Sequence, residues 1–340
     1  MTRRLMPYGV LLLGGGSGAT QPLTIFAVDA GYHPLGMILW QLLVAVLVLG
    51  ALTLARGRSL WPGRQGLPIC AIVALCGTVF PNSASYLALG HLPAGVMAII
   101  ISSVPMLAIP LAMALGMERF SIARLAGLGL GLAGIALIAL PSASLPEPGM
   151  AAWLPVALIV PAFYALEANL VAKRGTAGLD PIQLLFGASV LGLCIVAPLA
   201  LATGEARVRG WPLGGAELSF LLTALIHAGV YSGYVWLVSW AGSVFAAQCS
   251  YIVTGAGMVW SMLLLGEHYA IWIWLALVVM LIGVALVQPR REEAGETLPP
   301  VAGDGLMIAT GALAEPEAAP GPSAQACTTQ KFQEKSADLV

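Results

Sequence analysis

The amino-acid sequence predicts an all-α polytopic membrane protein with ten transmembrane helices arranged as two inverted five-helix repeats. Three observations predict it. Of 340 residues, 59% are hydrophobic and 9% charged, with a mean hydropathy of +0.90. A soluble domain carries roughly 25% charged residues, so this composition cannot cover a water-facing surface. The chain also divides into apolar runs long enough to cross a bilayer, and it repeats itself at an offset of about 147–149 residues. The formal net charge of -1 and the absence of large basic clusters exclude a nucleic-acid binder. The five cysteines, Cys70, Cys76, Cys194, Cys249 and Cys327, form no CxxC and no Cys/His cluster, so no disulfide framework or zinc site is expected.

About 20 apolar residues span the hydrocarbon core. Runs bounded by Pro, Gly or charge place the spans at 8–28, 34–55, 67–89, 93–115, 121–140, 151–173, 181–202, 216–239, 242–265 and 269–288. Arg3 and Arg4 before a long apolar stretch resemble a secretory signal, but the run is as long as a span and the repeat needs it, so it is read as span 1. Residues 289–340 hold eight acidic and four basic residues among many Ala, Pro and Gly, and are expected to form a disordered cytoplasmic tail.

Lys and Arg set the orientation. With the N-terminus in the cytoplasm, Arg56, Arg58, Arg64, Arg119, Arg124, Lys173, Arg174, Arg290 and Arg291 all fall inside, and only Arg207 and Arg209 fall outside. That asymmetry follows the positive-inside rule and predicts a multi-pass inner (plasma) membrane protein with both termini cytoplasmic. Trp153, Trp211, Trp272 and Trp274 fall near the outer interface, where aromatic belts form.

The repeat is visible in particular residues. Pro34-Leu35 and Pro181-Ile182 open spans that end in Ala55-x-Gly57 and Ala202-x-Gly204. Residues 114–138 align without gaps on 263–287, with Glu118 on Glu267 and Gly134 on Gly283. Five spans per repeat is an odd number, so the second repeat enters the membrane from the opposite side. Such inversion lets two similar halves rock about a site near the midplane. The halves are residues 1–140 and 151–288.

The residues Gly116-Met117-Glu118-Arg119-Phe120…Gly134-Ile135-Ala136-Leu137 and Gly266-Glu267-His268-Tyr269…Gly283-Val284-Ala285-Leu286 resemble the repeat endings of the EamA-type family of the drug/metabolite transporter superfamily. The resemblance covers about residues 8–288. It implies a secondary transporter in which spans 1, 3, 4, 6, 8 and 9 line a central cavity and spans 5 and 10 are peripheral. Many relatives have Arg seven residues after the Pro of span 2. Here that position is Gln41, and Ala188 in the second repeat.

Two clearly ionisable groups fall well inside the spans, Glu167 and His227. An intramembrane charge costs about 2.5–3.5 kcal/mol on insertion scales, so each is a functional hypothesis. Tyr164 shares a face with Glu167. His227, Tyr231 and Tyr234 follow at i, i+4 and i+7 on one face, and the matching stripe in the first repeat is Val79, Ser83 and Tyr86. Asn82, Ser102, Ser103, Ser250, Tyr251 and Thr254 add polarity to spans 3, 4 and 9, although small hydroxyls often bond their own helix backbone. The substrate or coupling residues expected are therefore Glu167, His227, Tyr231, Tyr234, Asn82, Ser83, Tyr86, Tyr164, Ser103, Ser250 and Tyr251. Pro105 and Pro110 are expected to kink span 4. Gly127-x-x-x-Gly131 in span 5 permits close helix contact, read as packing within the monomer before a dimer interface.

Gly14-Gly15-Gly16-Ser17-Gly18-Ala19-Thr20 lacks the Lys of a phosphate loop. Gly15-x-Ser17-Gly18 also matches an intramembrane serine protease, with His227 as base, and this enzyme is the alternative reading. The favoured reading is no enzyme and no cofactor. It is a gradient-driven exporter of a small metabolite or drug-like compound, working by alternating access in the lipid bilayer. Protons are a candidate coupling ion, and the oligomeric state, monomer or homodimer, stays open.

Overall fold

The computed structural model describes residues 6–117, 121–140, 145–206, 214–241 and 249–287. The expected tail, Glu118, Trp211 and the start of span 9 lie outside the described residues. Among the described residues the chain is helical with no strand. Span 1 is α1 (Met6–Gly18) and α2 (Thr20–Asp29), and span 2 is α3 (Pro34–Ala55). Span 3 is α4 (Gly63–Ile72), a π-helical stretch Val73–Val79 and α5 (Phe80–Leu89). Span 4 is α6 (Ala94–Ile101) and α7 (Val104–Ala114), and span 5 is α8 (Ile122–Ala139). The second half holds α9 (Leu154–Arg174), α10 (Pro181–Ala202), α11 (Gly215–Ala241), α12 (Cys249–Leu265) and α13 (Ile271–Val287). Six stretches, Pro34–Ala55 among them, are long and apolar enough to cross a membrane.

The ends of α3 and α10 follow from local chemistry. Pro34 and Pro181 occupy the first turn, where a missing N–H costs nothing. At the other end Gly57 (φ +65°) and Gly204 (φ +76°) adopt the left-handed conformation. The Arg58 N–H then reaches Thr53 O at 3.0 Å and the Glu205 N–H reaches Ala200 O at 2.9 Å, closing two Schellman motifs. The Ala-x-Gly of the repeat is thus a helix stop used twice.

The two helices run antiparallel, each presenting its C-terminal end to the other's start. Arg56 Nη1 pairs with Asp180 Oδ2 at 2.8 Å at one end. At the other, the Leu35 N–H donates to Glu205 Oε2 at 3.1 Å. Helices α8 and α13 are also antiparallel, and so close that a Cβ on Gly127 would meet Gly283 O at 2.8 Å, while one on Gly134 would meet Met280 Cγ at 2.6 Å. The glycine face of span 5 packs within the chain, with Met106 of α7 against Gly131.

Three spans are irregular. Span 1 breaks at Ala19 and span 4 at Ser102-Ser103, each giving two helices end to end. The span 4 break falls just before Pro105, which sits in the first turn of α7, while Pro110 stays inside that helix. In span 3, Pro81 supplies no N–H to the turn before it, and the π-helical stretch Val73–Val79 lies immediately upstream.

Glu267, from the repeat ending, caps α6. Its two carboxylate oxygens accept from the Ala94 N–H at 2.9 Å and the Gly95 N–H at 3.3 Å, two donors with no partner inside their own helix. Tyr269 donates its hydroxyl to the same carboxylate. Tyr269 falls at the first residue of the expected span 10, but the helix itself begins only at Ile271, so Tyr269 lies in the connection before it. Burial and the adjacent Glu267 push its phenol above the ordinary tyrosine range. Trp153 stacks on His91 with ring centroids 3.6 Å apart, and Trp272 and Trp274 are partly exposed.

Candidate functional site

A small cavity is lined by Ser17, Thr20 and Gln21 from span 1, Asn82 from span 3 and Ala98 from span 4, with Tyr164, His227 and Val253 from α9, α11 and α12. These are spans 1, 3, 4, 6, 8 and 9. A second, smaller space shares His227 and lies between α3, α10 and α11, with Gln41 and Ala188 on its wall.

The polar groups between these spaces form one chain of hydrogen bonds. Gln41 is its hub. Gln41 Oε1 accepts from Asn82 Nδ2 at 3.0 Å and from the Tyr86 hydroxyl at 2.6 Å. That leaves the Gln41 amide nitrogen facing His227 Nδ1 at 3.2 Å. The Tyr164 hydroxyl lies 3.4 Å from Asn82 Oδ1 and donates to it. Gln41, Asn82, Tyr86 and Tyr164 are all buried. Buried polar groups satisfy one another in such networks because water is not there to do so.

The order of the chain and the state of the histidine go together. With the Gln41 amide nitrogen turned to the ring, Nδ1 accepts, and the neutral tautomer that fits this order carries its proton on Nε2. That orientation is an assignment: with both amides turned over and the Tyr86 oxygen accepting, the same contacts are satisfied in the opposite order. This bears on the protease alternative. A general base needs an unprotonated nitrogen toward its nucleophile. The unprotonated nitrogen of His227 is already engaged by Gln41, although Ser17 and His227 line the same cavity.

Of the residues expected from sequence, the structure brings Asn82, Tyr86, Tyr164 and His227 together. Ser83 and Ser103 do not join them. Each bonds a carbonyl of its own helix or turn, Val79 O at 2.7 Å and Ile100 O at 2.7 Å. Ser250 is buried on α12, and Tyr251 is half-buried beside it. The side chains of Tyr231 and Tyr234 lie outside the described residues.

Glu167 is fully buried and sits apart from the cavity lining. Its carboxylate faces the π-helical stretch of span 3, where a Cβ on Gly77 would lie 2.6 Å from both oxygens. Only a glycine leaves room there. Asn169, two residues further along α9, bonds Ala108 O at 3.0 Å and Ala165 O at 2.8 Å, tying α9 to α7.

Gln41 is the member that sequence reasoning left out of the site. Its one signal was the departure from Arg at that position. Span 2 therefore contributes to the centre, which the family resemblance had assigned to six other spans.

With this geometry described, comparisons with known proteins place the chain. The family model described as the EamA-like transporter family matches residues 9–140 and again 151–288. A solved crystal structure is similar at a TM-score of 0.54 and 18% identity, covering 82% of this chain and 96% of that one. Likeness at that identity speaks for the fold alone. No curated protein matches the chain. Two successive matches spanning most of the sequence, on a helical scaffold with membrane-length apolar helices, decide the question: the chain belongs to the EamA-like transporter family, within the drug/metabolite transporter superfamily, and is a multi-pass membrane transporter.

Proposed function

We propose that this transporter is a secondary exporter of a small metabolite or drug-like compound, driven by a gradient and working by alternating access. Its moving parts are two inverted five-helix halves, residues 1–140 and 151–288, followed by a cytoplasmic tail. One observation carries the reading. The cavity takes polar groups from both halves, Asn82 from the first and Tyr164 and His227 from the second. A site shared by two halves opens to either side as they rock. The antiparallel pairs α3/α10 and α8/α13 support inversion, because matched spans of inverted repeats run in opposite directions.

The Lys/Arg asymmetry supports cytoplasmic termini in the inner membrane. Export over import rests on family likeness. Glu167 is the proposed coupling carboxyl, acting from the contact between α9 and span 3 rather than from the cavity wall. Burial disfavours the charged form of a carboxyl, which suits a group that takes up and releases a proton.

The deciding experiment is flux in proteoliposomes against a metabolite panel, with and without a pH gradient. A gradient-dependent flux of at least one solute is expected. Glu167→Gln should abolish the pH-driven component with insertion intact. Wild-type rate and pH dependence in that variant would make Glu167 a packing residue. No flux for any solute would remove the transport reading.

A further inference from the structure

The hydrogen-bond chain through Gln41 has a property that follows from its chemistry. Every link between its ends is an amide or a hydroxyl, and each of those can donate or accept. The order seen runs one way: the Tyr164 hydroxyl to Asn82 Oδ1, Asn82 Nδ2 to Gln41 Oε1, and the Gln41 nitrogen to His227 Nδ1.

We propose that this chain is a proton-operated relay: charging His227 reverses its direction and turns the Tyr164 hydroxyl toward the solute cavity. The proposal deepens the transporter reading and rests on it.

The atom balance is simple. One proton comes from a hydronium ion in the cavity: its O–H bond breaks as the N–H bond at Nδ1 forms, neutral water is left, and no other covalent bond changes. Nδ1 can then no longer accept. The Gln41 amide turns over, so that Oε1 accepts from Nδ1–H and its nitrogen donates to Asn82 Oδ1 and to the Tyr86 oxygen. The Asn82 amide turns over in the same way and donates to the Tyr164 oxygen. Tyr164 was a donor to Asn82 and becomes an acceptor from it. Its O–H bond stays intact and the hydroxyl turns to another acceptor, as does that of Tyr86; Tyr164 lines the cavity together with His227. The charged state therefore offers an O–H donor and an imidazolium in one cavity. That pair fits a solute bearing a carbonyl or carboxylate oxygen. The neutral state withdraws the Tyr164 donor. Solute and proton are then held together and released together.

Few other titratable groups compete. Helix α3 carries none. Tyr86 faces the ring through Gln41 and Tyr164 faces it through Asn82. Of the rest among the described residues, Asp29 ends α2, Tyr8 lies on α1, Cys194 on α10, Cys249 and Tyr251 on α12, and Tyr231 on the ring's own helix, while Glu167, one turn from Tyr164 on α9, faces Gly77. Glu217, at the start of that helix, is bonded by Tyr32.

The test is spectroscopic and independent of flux. The full chain in lipid nanodiscs is labelled with 15N-histidine and with tyrosine 13C at Cζ. With four histidines and eight tyrosines, His227→Gln and Tyr164→Phe assign the two signals. At high pH the unprotonated nitrogen should be Nδ1. On acidification, the Nδ1 and Tyr164 signals should shift with one midpoint. In Gln41→Leu, His227 should still titrate while the coupled Tyr164 shift is lost. If that variant fails to insert, Asn82→Leu cuts the same chain one link later and should give the same loss. An unprotonated Nε2, a Tyr164 signal that does not move, or one that moves equally in the cut chain would overturn the relay. Failure of every solute in the flux panel, with these spectra as expected, would instead sink the transport reading.

Discussion

Helices α3 and α10 are the same element used twice. Both open on Pro, both stop at a left-handed Gly, and they lie antiparallel with their ends on one another. They differ where it matters for function. Gln41 of α3 organises Asn82, Tyr86 and His227, whereas the matching Ala188 of α10 leaves space on the wall that Gln41 also lines. The ends of a helix are set by local backbone chemistry, which duplication preserves. The middle is set by what it faces, and the two faces have diverged. A duplicated scaffold thus holds an unduplicated site.

The largest effect should come from erasing that difference. Gln41→Leu takes a hydrogen bond from the buried Asn82 and Tyr86 and from the partly buried His227, and each such loss at a buried group costs about 1–3 kcal/mol. Flux should fall by about 10- to 100-fold, since about 1.4 kcal/mol is a factor of ten. Proteoliposome flux normalised to inserted protein checks it. Near-normal flux would make Gln41 a bystander and the asymmetry incidental.

The reverse change sharpens the comparison. Ala188→Gln brings a second amide into the space shared with His227. Overpacking of this kind costs about 1–3 kcal/mol, read as a lower thermal midpoint in detergent, and flux should drop with it. An unchanged midpoint would show that the space beside Ala188 is roomy enough to be a route rather than a gap.

Glu267 tests whether the repeat ending is a structural device. Glu267→Ala removes the cap of α6, at a cost of about 1 kcal/mol. Tyr269→Phe should cost less. The raised phenol adds a pH signature. A group whose folded pKa is raised gives stability that is present below its unfolded value, near 10.0, and is lost as pH climbs above it. Wild type should therefore lose stability in that alkaline range more steeply than Tyr269→Phe, and equal slopes would separate Tyr269 from the cap.

The smallest effect belongs to the paired ends of α3 and α10. Arg56 is exposed and its ion pair with Asp180 is well solvated. Arg56→Ala should change stability by about 0–1 kcal/mol, which a thermal scan can bound. A larger loss would mean that the ends, and not only the packed middles, hold the two halves together.

The sequence by itself determined the scaffold. Spans 2 and 7 were legible to the residue, 34–55 and 181–202, because Pro at the start and Gly at the stop act within one turn. The EamA-like pattern was legible for a related reason: Glu267 must sit beside its glycine turn to reach the start of α6. Polar residues of the centre were flagged by scarcity in an apolar chain, and Asn82, Tyr86, Tyr164 and His227 do meet. Scarcity alone could not say which polar residues turn inward and which bond their own backbone, as Ser83 and Ser103 do. Nor could it find Gln41, whose role is defined by His227, 186 residues further on. It marked Glu167 but not its place against Gly77, because a carboxyl's neighbours depend on how α9 crosses a π-helical turn of another span. Helix boundaries are written in the residues that form them. A hydrogen-bond chain that passes through four spans exists only once the tertiary structure has brought them together.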